Sequence, residues 1–363
     1  MKTMRERLLA TSQHELFWPI VVLVLLLLAN VVYRPSFVSI ELREGHLYGS
    51  LIDIVRLSAP LMLVALGMTL IIATGGIDLS VGSVVAIAGA IACLQISKQG
   101  DQNSVTGVLV ALAMGLAVAT VLGLWNGFLV AGLGIQPIIA TLILMVAGRG
   151  LAQLITQGQI ITINSSPYKL IGAGYWLTLP FAILIAVAVT VLAWLLIRRS
   201  ALGMLVEAVG GNAEASRLAG IRSRRFKLFV YVFSAFCAGI AGFMMTSNVS
   251  SADGNNAGLW VELDAILAVV IGGTSLIGGR FSIGGTVLGA LIIQTLTTTV
   301  YAMNISPQTS LLFKAIVVIA VCLIQAPAFR AKVGARLVGP VRRRRPPSSP
   351  APAVDSPKVE VPA

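Results

Sequence analysis

Charge is what this chain has least of. Lys, Arg, Asp and Glu supply 11% of its 363 residues, against about 25% in a soluble globular domain, which excludes an ordinary water-facing surface. Histidine and cysteine are nearly absent: His14 and His46, and Cys93, Cys237 and Cys322. No Cys/His spacing for a metal, no disulfide framework and no Ser/His/Asp set can be assembled from them. Each cysteine sits inside an apolar run, where it reads as a buried packing residue. The phosphate-cradling pattern Gly-x-x-x-x-Gly-Lys-Ser/Thr is also missing, so the chain alone has no means of hydrolysing ATP. Neither an enzyme nor a resident cofactor or metal is expected.

What is present is hydrocarbon. Hydrophobic residues make up 57% of the chain, with a mean hydropathy of +0.92. Apolar runs occur at 17–33, 59–74, 81–97, 105–123, 137–156, 180–197, 229–247, 264–278, 283–303 and 310–327, which predicts about ten membrane spans. The runs are continuous instead of alternating, so an all-α polytopic membrane protein is expected, not a barrel. The runs 59–74 and 264–278 are short and end in Gly-Gly, as broken or re-entrant helices would. The first run follows Lys2, Arg5 and Arg7 without a small-residue cleavage site and reads as an uncleaved span.

Basic residues set the expected orientation. Arg198, Arg199, Arg217, Arg222, Arg224, Arg225 and Lys227 crowd one connector, and Arg330, Lys332, Arg336 and Arg342 to Arg345 the tail. Both termini and the 198–228 loop are therefore placed in the cytoplasm, which an even number of spans satisfies. The division expected is a cytoplasmic amino terminus (1–15), a transmembrane domain (16–328) and a basic, then Pro/Ser-rich, disordered tail (329–363). The net charge of +12 is explained by orientation and anionic lipid, leaving no nucleic-acid partner.

Within the runs one tract stands out: Gly75-Gly76-Ile77-Asp78-Leu79-Ser80-Val81-Gly82. A carboxylate between two membrane-length runs either caps a helix or lines a polar pathway. The spacing Gly-Gly-x-x-Leu-x-x-Gly recurs at Gly272, Gly273, Leu276 and Gly279. Paired Gly-interrupted segments point to a duplicated half with a central transport site, or to glycines that merely allow close helix contact. In the basic loop, Ala213 to Leu218 holds good helix formers behind Asn212, a natural cap. A short helix there is either a docking knob for a cytoplasmic subunit or a solvated connector.

Together with Trp125-Asn126-Gly127 before Gln136-Pro137, Gly148-Arg149-Gly150, the loop Ala208-Val-Gly-Gly-Asn-Ala-Glu-Ala-Ser-Arg-Leu-Ala-Gly-Ile221 and Glu262-Leu-Asp-Ala-Ile266, these tracts resemble the ribose/xylose/galactose branch of bacterial ABC importer permeases. The resemblance runs from about residue 59 to about residue 327, and Gly289 to Thr299 is similar to the galactofuranose-type subgroup. It implies a permease in the bacterial inner membrane that works with a second permease copy or homologue, a cytoplasmic ATPase subunit and a periplasmic sugar-binding protein. It also implies that Gly211, Asn212, Glu214, Ala215, Arg217 and Gly220 form the ATPase-coupling segment, with Ser216 replacing one alanine of the family pattern. Candidate pathway residues are Asp78, Ser80, Asn126, Gln136, Arg149, Thr274 and Ser275, hydrogen-bonding groups at membrane depth. Interhelical bonding, or for Arg149 an ion pair with Asp78, would account for the same residues structurally. A different class, an ion-coupled carrier, would use Asp78 as its coupling carboxylate.

Overall fold

The computed structural model describes residues 16–303 and positions 309, 312, 315, 316, 318–320 and 323. The expectations for 1–15, Cys322, the tail and most of the run 310–327 fall outside the described residues. Twelve helices are described: α1 (Phe17–Tyr33), α2 (Ser50–Ala73), α3 (Val81–Ser97), α4 (Val105–Gly127), α5 (Pro137–Thr156), α6 (Ser166–Gly172), α7 (Phe181–Arg199), α8 (Leu202–Gly211), α9 (Ala213–Leu218), α10 (Ser223–Val249), α11 (Val261–Ile271) and α12 (Ile283–Ala302). Six are long and apolar enough to cross a membrane: α2, α4 with its π-helical extension Phe128–Gly132, α5, α7, α10 and α12. Helices α1 and α3, with 17 residues each, extend about 25 Å.

Helix α10 is the axis of the bundle, packed against α2, α3 and α4. Glycine makes this possible. A side chain at Gly67 would strike Ser234, at Gly89 Thr246, at Gly123 Ala235, and at Gly242 the Val85 carbonyl. Small residues at these points let backbones approach closely, which is how helices gain contact where lipid supplies no hydrophobic drive. The same contacts give direction: Val85 faces Gly242 and Gly89 faces Thr246, so α3 runs parallel to α10 and starts near its middle. By contrast Gly67 faces Ser234 and Arg56 bonds Asn248 at 2.8 Å, so α2 runs antiparallel along nearly the whole of α10.

The run 59–74 is therefore not a short broken crossing. Its helix begins at Ser50 and carries Pro60 internally. Hydropathy missed the first turns because they hold Asp53 and Arg56, but Arg56 donates to Asp53 at 3.2 Å and to Asn248 at 2.8 Å, which allows a polar helix end in a bundle. The run 264–278 is different: helix persists only to Ile271, so here the sequence-predicted break is present. Pairs of two- and three-residue strands, β1 (Glu41–Arg43) with β2 (His46–Tyr48), β3 (Ile161–Thr162) with β6 (Ser251–Ala252) and β4 (Tyr175–Trp176) with β5 (Leu179–Pro180), gather at the end where α2 starts and α10 finishes. The α8–α9 connector occupies the other end. Cys93 and Cys237 are buried and free, as packing residues would be.

Candidate functional site

Three of the seven candidate pathway residues meet. Asn126 Nδ2 donates to Ser80 Oγ at 2.8 Å, and Ser80 Oγ donates to Asp78 Oδ1 at 2.6 Å. The Ser80 amide adds a bond to the same oxygen at 2.9 Å. Asp78 thus closes the turn that starts α3, where a carboxylate also complements the helix dipole. All three side chains are buried, and Asn126 Oδ1 and the nearby Tyr231 hydroxyl, which faces Gly76, have no hydrogen-bond partner.

Arg149 does not pair with Asp78. From the middle of α5 it reaches the segment 253–260, donating to the carbonyls of Ala257 at 2.6 Å and Gly254 at 3.4 Å. That segment leaves the far end of α10 and descends without helix between α3 and α5. A side chain at Gly254 would strike the Ala152 carbonyl, and one at Gly258 the Gly82 carbonyl. Irregular backbone at membrane depth is tolerated where protein encloses it, and Arg149 supplies part of that enclosure. The segment delivers the chain to Glu262, in the first turn of α11, whose carboxylate lies against Gly82 at the first turn of α3. Helices α3 (17 residues) and α11 (11 residues) therefore start from one point near the middle of the bundle and run in opposite directions.

The Gly-Gly tracts meet elsewhere, at the α8–α9 end. Both close their helices with a left-handed glycine, Gly75 (φ 78°) after α2 and Gly273 (φ 88°) after α11. Gly76 N–H bonds Ile71 O at 3.0 Å, and Thr274 N–H bonds Val269 O at 3.2 Å, the bonds of a Schellman termination. The glycine that does this is the first of the pair in one tract and the second in the other, so the shared spacing is out of register by one with the shared structure; Gly272 instead packs on Gly285. Gly279 N–H then donates to Ala73 O at 2.9 Å, and Gly210 of α8 wedges against both groups. Thr274 is buried, accepting from the Ser282 amide, while Ser275 accepts from that of Ile277. Neither joins the Asp78 group. Gln136 stands exposed at the start of α5, also apart.

The loop helix forms as its residues predict. Asn212 Oδ1 accepts from the amides of Glu214 at 3.1 Å and Ala215 at 2.9 Å, satisfying donors that a helix start leaves open. Gly220, at φ 84°, turns the chain back so that Ile221 N–H reaches Ser216 O at 2.9 Å. Arg217 bonds Glu214 at 2.6 Å. This hydrogen bond, then the guanidinium charge, lowers the Glu214 carboxyl below its ordinary value. The pair is intact at neutral pH, and its contribution disappears only as pH falls through that lowered value. Gly211 and Leu218 are exposed. Helix α8 was not foreseen; Val206 and Val209 bury one face of it, and the charged residues around it hid that face.

Residues 50–322 match the family described as branched-chain amino acid transport system / permease component. The chain belongs to this permease family. Over 326 residues, 88% of this permease and 93% of its relative, it is 48% identical to the galactofuranose transporter permease protein of Escherichia coli strain K12. It is 43% identical over 319 residues (86% and 88%) to the fructose import permease protein of Bifidobacterium longum. It is 36% identical over 307 residues (84% and 90%) to the ribose import permease protein of Haemophilus influenzae. No solved structure matches the permease. The family resemblance read from the motifs holds, and the permease is a multi-pass membrane protein. Of the residues the motifs did not single out for the pathway, Glu262 and Tyr231 have the most to do with its buried polar groups; an acid opening an apolar run was the visible signal for the first, and nothing marked the second.

Proposed function

We propose that this permease is the membrane subunit of an ATP-driven importer for a sugar, a pentose or hexose of the class its relatives' names specify, galactofuranose included. The observation that carries the reading is α9: a capped, self-paired helix held outside the bundle, offering Leu218, 75% exposed, to a partner. A cytoplasmic ATPase subunit would grip α9, and a periplasmic binding protein would deliver the sugar at the strand-bearing end. A second permease copy or homologue would cover the apolar faces of α4 and α5 left exposed here. About ten spans with both termini cytoplasmic fit this arrangement and the basic loop. Nucleotide-driven closure of the ATPase would move α9 as a lever and shift the bundle between inward-open and outward-open forms. The pathway would draw on the Asp78, Ser80 and Asn126 group and on Arg149, with Gln136, Thr274 and Ser275 nearer its ends. An ion-coupled carrier is disfavoured, because Asp78 is spent on the Ser80 turn and a carrier needs no docking helix.

The test is sugar uptake into proteoliposomes holding the permease, its ATPase and its binding protein, with an ionophore control. Uptake should require ATP and every component; uptake by the permease alone that the ionophore abolishes would overturn the reading. Because Glu214 and Arg217 partner each other and are largely exposed, replacing both by alanine should leave insertion and ATP hydrolysis intact while uptake falls at least about tenfold. Wild-type uptake in that variant would remove α9 from the docking role. Asn212→Ala should weaken the helix by about 1 kcal/mol, read as faster amide exchange at Glu214 and Ala215.

A further inference from the structure

Glu262 is the buried acid that the pathway group above does not use. It is 2% exposed, and its Oε2 has no hydrogen-bond partner. Among the described residues no cation comes within ion-pair distance of it; Arg149 acts on it electrostatically but is committed to the Gly254 and Ala257 carbonyls. A buried carboxylate with one oxygen left without a partner is costly, and packing alone would be served better by an apolar residue. The carboxylate lies in a seam between the first turns of α3 and α11, against Gly82, where Gly258 packs on the Gly82 carbonyl and the Val85 side chain. The 253–260 segment covers the seam without helix, held by Arg149, by its own Asp253 turn and by the close packing of Gly254 and Gly258.

Resting on the sugar-importer reading, we propose that Glu262 is a substrate-contacting, specificity-determining residue: withdrawal of the 253–260 segment opens the seam, and the Glu262 carboxylate accepts hydrogen bonds from hydroxyls of the passing sugar. A sugar is dense in O–H donors, and an ionised carboxylate offers only acceptors, so the two are complementary where Asn126, Ser80 and Asp78 already bond one another. Arg149, freed from its carbonyls in the same movement, supplies donors to sugar oxygens.

The experiment compares the wild-type transporter with Glu262→Gln in proteoliposomes, measuring uptake of labelled ribose, fructose and galactose and of their monodeoxy analogues, alongside basal ATP hydrolysis. Loss of one hydrogen bond to a charged group predicts at least about a tenfold fall in uptake of the parent sugar, with basal hydrolysis unchanged. One monodeoxy analogue should be carried equally by both proteins, since the hydroxyl that Glu262 accepts is gone from it. Parent-sugar uptake at the wild-type rate would overturn the proposal, as would an equal loss for the parent and every analogue, the mark of a structural role. Should Glu262→Gln fail to insert, Glu262→Asp keeps the charge one methylene short and must give the same analogue-dependent pattern. A wild-type transporter that carries none of these sugars would sink the sugar reading itself, and this proposal with it.

Discussion

Valine at Gly210 is expected to disrupt the α8–α9 end of the permease more than any other single substitution considered. A Cβ there would collide with the Ala73 carbonyl and stand 2.6 Å from the Gly279 amide, the two groups that bond each other at 2.9 Å. The side chain must push apart α2, α8 and the 272–282 tract together. Overpacking costs about 1–3 kcal/mol, and the broken buried bond adds about 1 kcal/mol, so a loss on the order of 3 kcal/mol follows. It should appear as a lower thermal midpoint and lower folded yield in detergent. Gly211→Ala is the control: nothing lies within 4 Å of its added Cβ, and it should behave as wild type. Equal midpoints for the two variants would show that the three-way contact is not a close one.

Arg149→Ala should have the second large effect, confined to the other half of the molecule. The carbonyls of Gly254 and Ala257 would lose a charged donor, and no neighbouring helix amide is in place to substitute. Hydrogen bonds to charged groups contribute about 1.5–3 kcal/mol, so amide exchange over 253–260 should accelerate roughly 10- to 150-fold while exchange in α10 stays put. Arg149→Lys, with a point charge instead of a planar fork, should fall between. Unchanged exchange in the alanine variant would mean that packing of Gly254 and Gly258 against α5 and α3 holds the segment without the guanidinium.

Several elements were legible because their signals are local. The α9 helix needs only Asn212 before it, Gly220 after it and helix formers between, all within ten residues. The apolar runs at 81–97 and 137–156 coincide with α3 and α5, though only α5 is long enough to cross a membrane, because hydropathy depends on composition alone. The start of α2 was not legible, since Asp53 and Arg56 count against a span until Asn248, far along the chain, is known to meet them. Arg149 was singled out from its depth in an apolar run, but its partners are backbone carbonyls, which every residue has and no sequence pattern marks.

By itself the sequence determined that this chain is a helical membrane protein, the family it belongs to, where its two Gly-Gly tracts interrupt the helices and which short loop helix stands outside the bundle. Each of these rests on composition or on residues adjacent in the chain. Only the tertiary structure decided that Asp78, Ser80 and Asn126 form one buried group, that the two tracts touch through Gly210, and that α3 and α11 start from a common point where Glu262 meets Gly82. Apart from the local Asp78–Ser80 bonds, these pairings join residues far apart in the chain, and those at Gly210 and Gly82 are set by how closely glycine lets helices approach, a property of three-dimensional packing that no local pattern encodes.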